Sequence, residues 1–94
     1  MPFVYIMASA RNGTIYVGVT KDLIKRVYQH KTDTVDSFTQ RYGIHNLVWY
    51  EHTESIISAI QREKQLKNWK RDWKIRLIET SNPQWQDLYP GLLS

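Results

Sequence analysis

Residues 3–9, Phe3-Val4-Tyr5-Ile6-Met7-Ala8-Ser9, and 14–19, Thr14-Ile15-Tyr16-Val17-Gly18-Val19, decide the fold. Both are rich in β-branched and aromatic residues, and Arg11-Asn12-Gly13-Thr14 between them supplies a turn signal, so the pair reads as a β-hairpin. A hairpin loop of two or four residues places odd positions of the first strand on the same face as even positions of the second. One face then carries Val4, Ile6 and Ala8 with Ile15, Val17 and Val19, wholly apolar and fit for a core. The other carries Phe3, Tyr5, Met7 and Ser9 with Tyr16, Gly18 and Thr20, two phenols around a glycine that leaves room above the sheet. A strict two-residue turn would hold Tyr5 and Tyr16 roughly 13 Å apart. A longer loop or a bulge is expected to bring them together.

Outward from the hairpin, Thr20 is placed to cap a helix over about Lys21–Lys31, with Asp22 in its first turn. Thr32–Tyr42 is polar and mixed, a loop or short helix. Leu47–His52 reads as a third strand, Ser55 caps a long helix to about Lys70, and Asp72 starts another that ends near Glu79, before Asn82-Pro83. Trp85, Leu88 and Tyr89 give the tail enough apolar anchors to dock. Two strands precede the first helix, so the order β-β-α-β-α-α describes an α+β layer, a three-stranded antiparallel sheet packed with helices. Trp69, Trp73 and Leu77 recur at helical spacing and are expected in the core, with Trp49 and Trp85 beside them.

With 94 residues the chain makes one domain, a core at about 3–80 and a docking tail at 81–94. The absence of cysteine excludes disulfide frameworks, thiol catalysis and thiolate zinc sites. His45 and His52 lack the spacing of a zinc site. The longest unbroken apolar run, Phe3–Ala8, is too short for a membrane span or a signal peptide, and a cytoplasmic protein is expected.

Charge is unevenly spread. Residues 61–79 hold seven basic side chains against three acidic, while residues 1–60 hold six against five. Such a surplus suits a polyanion, because each phosphate contact releases condensed counterions. Lys64, Lys67, Lys70, Arg71 and Lys74 are the candidate nucleic-acid-binding residues, with an ordinary solvated helix face as the plainer reading.

Phe3-Val4-Tyr5 and Tyr16-Val17-Gly18, with the tyrosines eleven positions apart, resemble the two halves of the GIY-YIG nuclease signature. Arg26 follows ten residues after Tyr16, His30 four further on, and Glu63 stands in Arg62-Glu63-Lys64-Gln65. These match the arginine, the histidine or tyrosine, and the metal-binding glutamate of that family. The whole chain looks like its small stand-alone bacterial members. Phe3 departs from the first glycine of the signature, and Val19 stands where some repair-nuclease relatives carry a lysine.

The resemblance implies a divalent-metal-dependent endonuclease that leaves a 5′-phosphate and a 3′-hydroxyl, acting on DNA rather than RNA, with Mg2+ or Mn2+ held by Glu63. Tyr16 would be the general base, a role that needs neighbouring positive charge because a free phenol titrates near about 10. Tyr5 would orient the water, Arg26 would offer a forked donor to phosphate oxygens, and His30 would bond the phosphate or shuttle a proton. From the residues alone, Glu63 projects from the apolar stripe of its helix. There it is either a metal ligand, a buried partner of Arg26 or an acceptor for a tyrosine. A second reading of the chain is a nucleic-acid-binding module of the same fold that cuts weakly or not at all. A homodimer or a partner protein is expected to supply specificity.

Overall fold

The computed structural model describes residues 1–34 and 37–94. Strand β1 (Phe3–Ala8) is central, flanked by β2 (Ile15–Thr20) and β3 (Asn46–His52), both antiparallel to it. The fold is the α+β arrangement expected. Tyr5 pairs with Gly18 and Met7 with Tyr16, and the Ser9 amide donates to the Thr14 carbonyl at 3.0 Å. The connection is therefore a four-residue loop, Ala10–Gly13, with Asn12 in the left-handed region at φ 58°. That longer loop sets Tyr16 diagonally beside Tyr5 and preserves the two faces read from the sequence.

Between β1 and β3 the register shifts at Ile6 and Met7, a bulge that leaves Val48 without a Cα partner. Alternation alone would send Val48 and Trp49 to opposite faces. The bulge lets both join the aliphatic face while Leu47 turns to the other, so three successive apolar residues are all buried.

Helices cover both faces. Against Val4, Ile6, Ala8 and Val17 pack Ala59 and Leu66 of α3 (Ile56–Asn68), Ile78 of α4 (Arg71–Ser81) and Trp85. Against Tyr5, Met7 and Leu47 pack Leu23 and Val27 of α1 (Leu23–Lys31), with Ile44 and the side chains of the tail. A short α2 (Ser37–Arg41) precedes β3, and α5 (Tyr89–Leu92) closes the chain.

Helix caps follow the local chemistry. Ser55 Oγ accepts from the Ser58 amide at 3.1 Å and starts α3 as expected. The cap of α1 is Asp22, not Thr20: its carboxylate accepts from the Lys25 amide at 3.1 Å. Thr20 instead receives the Asp22 amide on its own hydroxyl at 3.0 Å, a turn that comes before the helix.

The tail docks along β3. Asp87 accepts from the Leu47 amide at 3.1 Å, Leu88 donates to the Leu47 carbonyl at 2.7 Å, and Lys31 of α1 pairs with Asp87. Backbone groups that would otherwise mark an open sheet edge are thereby used. One core expectation fails. Trp73 is 53% exposed, because α4 buries Ile78 and turns Trp73 about 140° away from it around the helix axis. Its ring meets Trp69 edge to face at 5.8 Å along an open groove that Arg76, Leu77 and Thr80 also line.

Candidate active site

The second face of the hairpin gathers a buried aromatic set. Tyr5 is 2% exposed, and its hydroxyl is hydrogen-bonded to His30 Nε2 at 2.9 Å. His30 is itself buried, because it stands seven residues after Leu23 and four before it comes Arg26. It therefore falls on the Leu23–Val27 stripe rather than at the border of α1, where the sequence reading set it. Its other nitrogen, Nδ1, is hydrogen-bonded to Thr39 Oγ1 of α2 at 3.2 Å. Tyr16 is half-buried, with its ring 5.3 Å from the ring of His30 and 6.3 Å from that of Tyr5.

Gly18 makes this packing possible. A Cβ at that position would lie 2.5 Å from Tyr5 Cζ and Oη, so the Tyr5 ring lies flat over the space a side chain would take. Thr39 went unnoticed in the sequence, and no periodic pattern could have found it. It meets His30 only because the chain folds back after α1.

Arg26 lies one turn before His30 and is only partly buried, facing a groove of about 430 Å³. Val19 and Thr20 at the end of β2, Lys25 and Gln29 of α1, and Ile56 at the start of α3 share the lining. Among the described residues its guanidinium has no ion-pair partner.

Glu63 lies two turns along α3 from Ile56. The neighbouring position, Arg62, reaches toward β3, donating to Glu51 at 3.1 Å and lying over the rings of Trp49 and Trp69. Glu63, the next residue, stands about 100° further around the helix axis. Its side chain is 21% exposed, and the carboxylate pairs with Lys67 of the next turn at 3.5 Å. Of the readings open for Glu63, a buried pair with Arg26 is not what forms. Arg26 belongs to a helix that packs on one sheet face and Glu63 to a helix that packs on the other.

The GIY-YIG catalytic domain model matches residues 1–76 of this sequence. The chain belongs to the GIY-YIG family. UPF0213 proteins of Staphylococcus aureus strains Mu3 and N315 are each 36% identical to it over 78 residues, 82% of this chain and 93% of theirs. A UPF0213 protein of Bacillus halodurans, solved in solution by NMR, shares the fold with a TM-score of 0.56 at 25% identity, over 93% of each chain. Membership of the GIY-YIG family implies a nuclease type of activity, with nucleic acid as substrate and a divalent metal in attendance.

The residues of this GIY-YIG domain fit such an ion by the chemistry of their donors. Magnesium takes one or two carboxylates and completes its shell with water and phosphate oxygens. Glu63 is partly buried, and among the described residues its ion pair is with an exposed lysine. Among the described residues no group of three or more histidine and acidic side chains is gathered to hold a metal ion, so water and phosphate oxygens would have to supply the rest of its shell.

The basic residues divide by surroundings. Lys64 and Lys70 are exposed. Arg71 donates to the carbonyls of Asn12 and Gly13 at 2.8 and 2.6 Å, tying α4 to the hairpin loop. Lys74 is partly buried, and desolvation, then the charges of Arg71 and Lys67, hold its amine below the usual lysine range. No helix among the described residues is long and apolar enough to cross a membrane.

Proposed function

We propose that this GIY-YIG domain is a divalent-metal-dependent endonuclease that hydrolyses phosphodiester bonds in DNA. The observation that carries the reading is the pair of tyrosines at 6.3 Å, held by the buried His30 and opened by Gly18, beside an Arg26 with no ion-pair partner among the described residues. A plain structural sheet face has no need to hold a half-exposed phenol against a buried hydrogen-bonded one.

In the proposed reaction a water oxygen bonds to phosphorus as the P–O3′ bond breaks. Tyr16, as phenolate, takes one proton of that water, and the departing O3′ takes a proton from solvent water to become the 3′-hydroxyl. Arg26 offers two parallel donors to the non-bridging oxygens as their charge grows. Tyr5 and His30 are too buried to reach a phosphate freely. They act as positioning residues, with Thr39, and keep the Tyr16 ring in place. Glu63 would hold the divalent ion, which when bound would supply positive charge against the negative charge that grows on the phosphate oxygens. Lys64, Lys67, Lys70 and Lys74 draw the backbone in by charge, with Arg71 steadying the hairpin loop beside them.

The test is nicking of duplex, single-stranded and branched oligonucleotides with magnesium, with manganese and with excess chelator, beside Arg26→Ala. Cleavage that needs the metal and collapses in a folded Arg26→Ala protein is expected. Full activity in chelator refutes the metal mechanism. Salt-sensitive binding with no cleavage under any condition leaves a binding module of the same fold.

A further inference from the structure

The surface next to Tyr16 is aromatic. Helix α2 presents Phe38, and Tyr42 follows just after its end. They are 43% and 46% exposed, with ring centroids 4.9 Å apart. The Phe38 ring lies 6.3 Å from that of Tyr16, and the Arg41 guanidinium lies 5.7 Å from the centre of the Tyr42 ring. Two further rings thus follow that of the proposed base, each near the one before, with a cation over the last. Between them Thr39 points the other way, fully buried and bonded to His30, so the platform is anchored to the site it borders.

Apolar rings that end in a cation suit a ligand with a flat π face and a negative charge. A nucleotide has both, and each ring can stack on a base without regard to sequence. Bases within a duplex hide those faces in their own stack, so only an unpaired base can use the platform. The geometry points to a stacking site on Phe38 and Tyr42 for an unpaired nucleotide beside the scissile phosphate, which makes single-stranded or branched nucleic acid the preferred substrate class. The assignment rests on the reading of Tyr16 as part of the active site.

Binding measured in chelator separates this from catalysis. The anisotropy of a labelled single-stranded oligonucleotide, and of the same sequence as a duplex, is followed at one fixed salt concentration. The wild type is expected to bind the single strand more tightly. Tyr42→Ala and Phe38→Ala should each weaken single-strand binding by about 5- to 100-fold while leaving duplex binding unchanged. Tyr42→Phe, which keeps the ring, should retain wild-type affinity. Tyr42 makes its ring contacts at the surface, so its variants carry the test even if Phe38→Ala lowers the melting temperature. Equal losses on both substrates, or none, overturn the proposal. So does a change from dimer to monomer in sedimentation with oligonucleotide affinity intact, since the rings would then cover a second copy of the chain. A stacking effect in a protein that cuts nothing upholds the platform and removes the nuclease reading. Metal-dependent cutting without any preference for unpaired strands does the reverse.

Discussion

Gly18→Ala is the most direct probe of how this site is built. The new methyl would sit 2.5 Å from Cζ and Oη of Tyr5, far inside contact distance. Tyr5 cannot swing aside cheaply, because it is buried and its hydroxyl is bonded to the equally buried His30. Overpacking costs about 1–3 kcal/mol, and loosening a buried hydrogen bond about 1–3 more, against about 0.5–1 gained when alanine replaces glycine in a strand. A net loss of about 3 kcal/mol follows, which lowers the melting temperature of a domain this size by about 12–24 °C. The clash belongs to one ring, so it should vanish with that ring. In a Tyr5→Leu background Gly18→Ala is expected to be neutral or slightly stabilising. Urea titrations of the four proteins give the coupling directly. A cost of Gly18→Ala under about 0.5 kcal/mol, or the same cost in both backgrounds, would show that Tyr5 is not what requires the glycine.

Glu63→Gln removes a carboxylate whose ion pair is with an exposed lysine, so the metal-free melt should move by less than about 1 kcal/mol, while isothermal titration shows weakened magnesium binding and nicking disappears. A large loss of stability with activity retained would take Glu63 out of the active site. Thr39→Val keeps the shape but withdraws the hydroxyl at His30 Nδ1, and is expected to cost about 1–3 kcal/mol in denaturant titration and to slow cleavage; a melt identical to wild type would count against Thr39 as a support of His30. Lys74 has a folded pKa below its ordinary 10.5, so the unfolded chain holds that proton more readily and the charge works against folding at neutral pH. The penalty fades as pH rises through the folded value toward 10.5. Lys74→Met, which keeps the apolar stem, should therefore melt at or above wild type at neutral pH, with the difference shrinking in alkaline buffer, and should bind oligonucleotides more weakly with a shallower salt slope. A difference that grows with pH would reverse the sign argument.

Alternation along residues 3–19 was enough to read the hairpin, its two faces and the need for room at position 18, because side-chain direction in a strand repeats every two residues whatever surrounds it. Ser55 and the stop at Asn82-Pro83 were legible for a similar reason, since capping and chain termination are settled within a turn. The ordered spacing of Tyr5, Tyr16, Arg26, His30 and Glu63 likewise carried the family.

Tertiary structure decided what depends on distance through space. Whether Tyr5 and Tyr16 met turned on a four-residue loop, one of the lengths the sequence left open. That His30 is buried and shares its nitrogens between Tyr5 and Thr39 depended on α1 lying against the sheet and on α2 folding back over it, two packings with no local code. Trp73 shows the same limit. Its helical spacing matches that of a core residue, yet a helix presents several apolar faces and only the position of the sheet selects the buried one. Glu63 stands between these cases: its helix was legible in the sequence, but the choice between Arg26 and Lys67 as partner was made by which sheet face each helix covers.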